Sequence, residues 1–115
     1  KNSLTTMHCA NISYPEEKDV VCGRGRFSVE FIGNKRFRSF VQQYLNEYCS
    51  AARREKTKVI EAVFQNLREN GSRFLKKDTS SGFWYEVSEN EAKLKIGHVL
   101  RDAKMHTVRA KEQRR

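Results

Sequence analysis

Residues 73–91 read Arg73-Phe74-Leu75-Lys76-Lys77-Asp78-Thr79-Ser80-Ser81-Gly82-Phe83-Trp84-Tyr85-Glu86-Val87-Ser88-Glu89-Asn90-Glu91, and this stretch decides the fold class. Two runs of strand-forming residues flank the polar loop Thr79-Ser80-Ser81-Gly82, which is the pattern of a β-hairpin. Ser88 and Glu91 then stand in the Ser-X-X-Glu relation of a capping box, which opens a helix. A hairpin followed at once by a helix predicts an α+β domain. Downstream, Ala92, Ile96, Val99, Leu100 and Ala103 recur at helical spacing and mark the buried face of that helix. From about Lys104 the periodicity fades, and residues 105–115 read as a basic tail.

Upstream of the hairpin, Phe37, Phe40, Val41, Tyr44, Leu45 and Tyr48 follow one helical face, with Asn34 placed to cap its start. Val59, Ile60, Val63, Phe64 and Leu67 mark another helix, which Asn70-Gly71 closes. Between them, Ala51-Ala52-Arg53-Arg54-Glu55-Lys56 reads either as a short break or as continuous helix. Phe27, Val29 and Phe31 alternate with Ser28 and Glu30, as a half-buried strand or extended loop would, and Gly33-Asn34 ends that segment. Asp19 to Cys22 reads as a short strand. Residues 1–17 carry the sole proline, Pro15, and no periodicity, so a flexible arm is expected there. The expected architecture is a small single α+β domain over residues 18–104, with three helices, a β-hairpin and an N-terminal Gly/Arg loop. No internal repeat is present.

The 115 residues suit one domain with a modest core, and 37% hydrophobic content with 10% aromatics predicts a small, ring-rich one. Lys and Arg number 23 against 14 Asp and Glu, a net charge of +9, so an anionic partner is expected. Cys9, Cys22 and Cys49 are odd in number and form no Cys-X-X-Cys pair, which points away from disulfides and zinc and toward reduced thiols in an intracellular protein. No apolar run is long enough to span a bilayer, so no membrane partner is expected. The chain begins at Lys1 rather than Met, as an excised domain would.

No catalytic constellation stands out, and an enzyme is not expected. His8, His98 and His106 lie far apart and outside any metal-binding or nucleophile motif, and neither a metal nor a cofactor is expected. Cys22-Gly23-Arg24-Gly25-Arg26 lacks the Gly-Lys-Ser/Thr ending of a Walker loop and the third glycine of a dinucleotide fingerprint. What that loop does offer is close backbone approach and two planar donor forks, suited to phosphate or a guanine edge. Cys22 beside two arginines could in principle be activated, but its apolar neighbours favour a buried thiol.

Basic side chains recur on several expected elements: Arg24 and Arg26 in the glycine loop, Lys35, Arg36 and Arg38 at a helix start, and Arg73, Lys76 and Lys77 on the hairpin. Lys93, Arg101 and Lys104 share one face of the last helix with Gly97, which either lets that helix approach a groove or neighbouring element closely or admits a packed aromatic. Interleaved rings suggest base stacking as well. Among Phe83, Trp84 and Tyr85, Trp84 is expected in the core, with Phe83 or Tyr85 exposed.

Asp19-Val20-Val21-Cys22-Gly23-Arg24-Gly25, Gly33-Asn34-Lys35-Arg36-Phe37-Arg38 and Arg73-Phe74-Leu75-Lys76-Lys77-Asp78, with Gly82 and Trp84 to Val87, together resemble a domain of unknown function abundant in diatoms and other stramenopile algae. That family is recognisable by a Cys-Gly-Arg-Gly motif near its start. The resemblance runs from about Asp19 to Asp102 and includes Ala92-Lys93-Leu94-Lys95 and Leu100-Arg101. The chain departs from the pattern at Arg26 to Ile32, where a further glycine and an Asn- and His-containing loop with proline usually stand. The resemblance implies domain boundaries and no activity.

The function expected from these features is nucleic-acid binding, with double-stranded DNA preferred over RNA, in a nuclear regulatory or chromatin protein. Arg24, Arg26, Lys35, Arg36, Arg38, Arg73, Lys76, Lys77, Lys93, Arg101 and Lys104 are the candidate contacts, most of them to phosphate. The alternative is a protein-interaction module that takes an acidic protein partner, with RNA binding third.

Overall fold

The computed structural model describes residues 10–23 and 25–113, with side chains described to residue 106. In chain order the elements are β1 (Val20–Val21), α1 (Arg26–Glu30), α2 (Ile32–Gln42), α3 (Leu45–Ser50), α4 (Arg53–Glu69), β2 (Phe74–Lys77), β3 (Trp84–Glu86) and α5 (Glu89–Gln113). The strands form one sheet in the order β1-β2-β3. β1 runs parallel to β2, with Val20 opposite Phe74, and β2 runs antiparallel to β3, with Lys77 opposite Trp84.

The expected hairpin is present, and its loop is built around Asp78. The Asp78 carboxylate accepts from the Ser80 amide at 3.1 Å and from the Ser80 and Ser81 hydroxyls at 2.8 and 3.1 Å. Gly82 completes the turn at φ 81°, where a side chain would be strained. The Ser88 half of the capping box is present, since the Glu91 amide donates to the Ser88 hydroxyl at 3.2 Å, while the Glu91 carboxylate meets Lys76 at 3.4 Å.

Alternation along the short strands gives the sheet two apolar faces. Val20 and Phe74 turn toward a helical layer in which α2, α3 and α4 pack against α5, around Phe37, Val41, Val63, Ile96 and Leu100. Val21, Leu75 and Trp84 turn the other way and form a smaller cluster with Ile12 and Phe31.

The described residues form five helices rather than three. The aromatic stripe from Phe37 to Tyr48 is one face in sequence but two helices in space, because the chain turns at Gln43 and Tyr44. The charged junction is a break: Ala51 and Ala52 are extended, with ψ of 144° and 166°. Phe27 to Phe31, expected to be extended, belongs instead to the short helix α1 and its C-terminal cap. Asn34 lies inside α2 and does not cap it. Gly71, at φ 87°, closes α4 as expected. The helical backbone of α5 continues past Lys104 to Gln113, through most of the stretch read as a tail. Part of the expected arm is joined to the sheet: Ile12 and Trp84 exchange two backbone hydrogen bonds, at 3.1 and 2.7 Å, and Pro15 is buried.

Candidate nucleic-acid interface

The sharpest geometry among the described residues is an ion pair that engages one of the expected contacts. Asp19, just before β1, is almost wholly buried, and Arg73, just before β2, donates to it through both Nε at 3.0 Å and Nη2 at 2.8 Å. The bond to Asp19 pushes the Arg73 pKa up. The Glu16 amide donates to the same carboxylate at 2.7 Å. Arg73, expected on a nucleic-acid surface, therefore has two guanidinium nitrogens engaged by Asp19 while a third of its side chain stays exposed. On the open edge of β1, the Val21 amide donates to Asn34 Oδ1 at 2.7 Å, and Asn34 Nδ2 donates to the Val21 carbonyl at 3.0 Å. A side-chain amide thus stands where another strand would pair, and both backbone groups are satisfied. Gly33 permits this approach, because a Cβ there would lie 1.9 Å from the Asp19 carbonyl oxygen.

The glycine loop leaves β1 through Cys22, whose amide donates to the Leu75 carbonyl at 2.7 Å. Burial pushes the Cys22 thiol up to about 11, partly offset by Lys95 and Lys76, with Glu91 adding to the rise. That is the behaviour of a packed thiol and not of a nucleophile. Gly25, at φ 101°, turns the chain into α1, which Arg26 begins with an exposed side chain. Arg24 lies outside the described residues, and the tail's basic side chains from Arg109 onward do too.

α2 gathers three candidate residues. It buries Gly33, Asn34, Phe37 and Val41 against β1 and α5, and it contains no acidic residue. Helical periodicity therefore turns Lys35, Arg36, Arg38, Ser39 and Gln42 outward. Lys35, Arg38, Ser39 and Gln42 line a shallow recess of about 360 Å³, and Arg36 joins Lys35 and Ser39 in the next one. Arg38 is steadied by donating to the Val29 carbonyl at 2.8 Å, and Arg36 reaches the exposed Glu17 at 3.3 Å. Ser39 and Gln42 were not among the expected contacts. Their signal is the i, i+4, i+7 spacing from Lys35, which places polar donors on the basic stripe.

The remaining candidates are dispersed. Lys76 meets Glu91 at 3.4 Å on the helical side of the sheet, while Lys77, on the opposite side, lies 6.0 Å from the centre of the Trp84 ring. Lys93 bonds to Glu89 at 2.7 Å and lies 3.8 Å from Glu61; the shared hydrogen bond raises the Lys93 pKa and lowers that of Glu89. A Cβ at Gly97 would lie 3.4 Å from Ile60, so that face of α5 meets α4 and is not open to a groove. Arg101 contacts the His98 ring at 3.3 Å, and Lys104 is half-buried. Of the three hairpin rings, Trp84 is buried, Phe83 is exposed and Tyr85 is partly buried against the main core.

Among the described residues, no cluster of His, Cys, Asp or Glu could hold a metal ion, and no helix is long and apolar enough to cross a membrane. Residues 19–102 match the family described as domain of unknown function DUF6824, and the chain belongs to that family. No curated protein and no solved structure matches the chain.

Proposed function

We propose that this DUF6824-family domain binds double-stranded DNA through the outer face of α2, as part of a nuclear regulatory or chromatin protein. The observation that carries the reading is the composition of that face: Lys35, Arg36, Arg38, Ser39 and Gln42 with no carboxylate on the helix. A helix about 10–12 Å across enters a major groove of about that width. Lys35 and Arg36 then neutralise phosphates, while Arg38, Ser39 and Gln42 present donors to phosphate oxygens or base edges. Arg26, exposed on the neighbouring α1, extends the basic surface, and Arg24 between its two glycines takes a phosphate or a base edge. The residues of the α5 flank contribute less, because Lys93 already faces two carboxylates.

The test is a titration series with duplex DNA, single-stranded DNA, duplex RNA and an acidic peptide at several salt concentrations. The reading expects duplex DNA to be preferred over duplex RNA and over the peptide, with affinity falling steeply as salt rises. Lys35→Ala and Arg36→Ala should each lower the salt slope by about one unit without changing thermal stability. Equal affinity for every nucleic acid and for heparin would reduce the domain to a generic polycation. Preference for the acidic peptide would establish the interaction-module reading instead.

A further inference from the structure

We infer that the sheet face turned away from the helical layer carries a second nucleic-acid surface, a platform on which Phe27 and Tyr14 stack the bases of an unpaired DNA strand beside Lys77. Lys77 and Trp84 are register partners on β2 and β3 and so share that face. α1 lays Phe27 over it: the Phe27 ring centre is 5.4 Å from that of Phe31, with planes 21° apart, and 5.7 Å from that of Trp84. The Tyr14 ring meets Phe27 edge-on at 6.1 Å. Trp84 at the base of the cluster is 6% exposed, whereas Phe27 keeps 41% and Tyr14 59% of their surface open. The cluster is therefore buried at Trp84 and partly exposed at Phe27 and Tyr14, the two rings at its outer edge.

Charge selects the occupant. Lys77, exposed, has its ammonium 6.0 Å from the centre of the Trp84 ring, and Arg26 directly precedes Phe27; among the described residues neither is ion-paired to a carboxylate. Open rings beside free cations suit a ligand that alternates flat π faces with phosphates, which is single-stranded nucleic acid. A closed duplex cannot use this surface, because its base faces are covered by their own neighbours. DNA is chosen over RNA because α2 offers a duplex face on the same molecule, and a locally opened duplex supplies both forms. That choice alone rests on the duplex reading above; the aromatic geometry does not.

The experiment uses the whole 115-residue chain and the fluorescence of Trp84, its sole tryptophan. Titration with an oligothymidylate of about a dozen nucleotides should change the Trp84 emission saturably. Phe27→Leu, which keeps apolar contact with Trp84, and Tyr14→Ala should each weaken oligothymidylate binding about five- to a hundredfold. Duplex affinity should stay at the parental level, and both variants should remain folded at the titration temperature even where the lost ring contacts lower the melting temperature. The platform is overturned if both variants fold and bind the oligothymidylate like the parent, if only an oligouridylate binds, or if only an acidic peptide changes the Trp84 emission. Loss of duplex binding on α2 with oligothymidylate binding retained would support the platform while removing the duplex reading.

Discussion

At the scale of single residues, the most constrained positions are those that join β1 to its neighbours. Arg73 and Asp19 form a two-point pair in which the Asp19 side chain is 2% exposed and the Arg73 side chain 33%. Replacing Arg73 with Ala leaves a buried carboxylate without its cation, and such losses cost about 3–5 kcal/mol, toward the lower end here because Arg73 is partly solvated. Chemical denaturation of Arg73→Ala checks this, and a loss below about 1 kcal/mol would show the pair to be peripheral. Cys22 gives a second residue-scale expectation. At pH 8, mass mapping after brief alkylation should find exposed Cys49 modified well before Cys22, whose thiol is held at about 11 by burial. The folded thiol keeps its proton above the ordinary value of 9.0, so the unfolded chain ionises first, and Cys22 takes stability away as pH rises from 9.0 toward about 11. Equal alkylation of both thiols in the folded chain would contradict the burial.

At the scale of elements, α4 starts without help. Its N-cap is Ala52, with extended backbone and no side-chain acceptor for the free amides of the first turn. Ala52→Ser should supply that acceptor and raise stability by about 1 kcal/mol, read as an upward shift of the denaturation midpoint. No shift would mean that solvent already satisfies those amides at no cost. The same element scale shows what the sequence could reveal. The hairpin, the Ser88 cap and the Gly71 cap are local, each specified by a few adjacent residues, and all three were legible. α1 was misread because Phe27 and Phe31 satisfy a period of two and the i, i+4 spacing of a helix equally well, and five residues cannot separate them. Asn34 was read as a cap from its residue type, yet its amide is used by β1, thirteen residues back, through a contact that no local pattern encodes. The basic stripe of α2 was half legible: Lys35, Arg36 and Arg38 were visible as charges, whereas Ser39 and Gln42, at i+4 and i+7 from Lys35, carry no charge to mark them as part of it.

At the scale of the whole molecule, contacts to the sheet extend beyond the family match. That match begins at Asp19, yet residues 11–17 fasten the sheet from outside it. Ile12 pairs with Trp84 through two backbone hydrogen bonds, Pro15 is buried, and the Glu16 amide donates to the Asp19 carboxylate. Tyr14 adds its ring to Phe27 over the smaller apolar cluster. A chain starting at Lys18 would uncover one edge of β3, lose one donor to a buried carboxylate and expose Ile12's share of the contact with Trp84. Each unsatisfied group or lost contact costs about 1 kcal/mol or more, and for a domain near this size 1 kcal/mol lowers the melting temperature by about 4–8 °C. The chain starting at Lys18 should therefore melt at least that much below one starting at Ala10. The shortened chain should also show altered Trp84 emission, since both the backbone partner of Trp84 and the ring of Tyr14 are gone. If the two chains melt together with the same emission, residues 11–17 lie on the domain without stabilising it, and the folded unit begins where the family match begins.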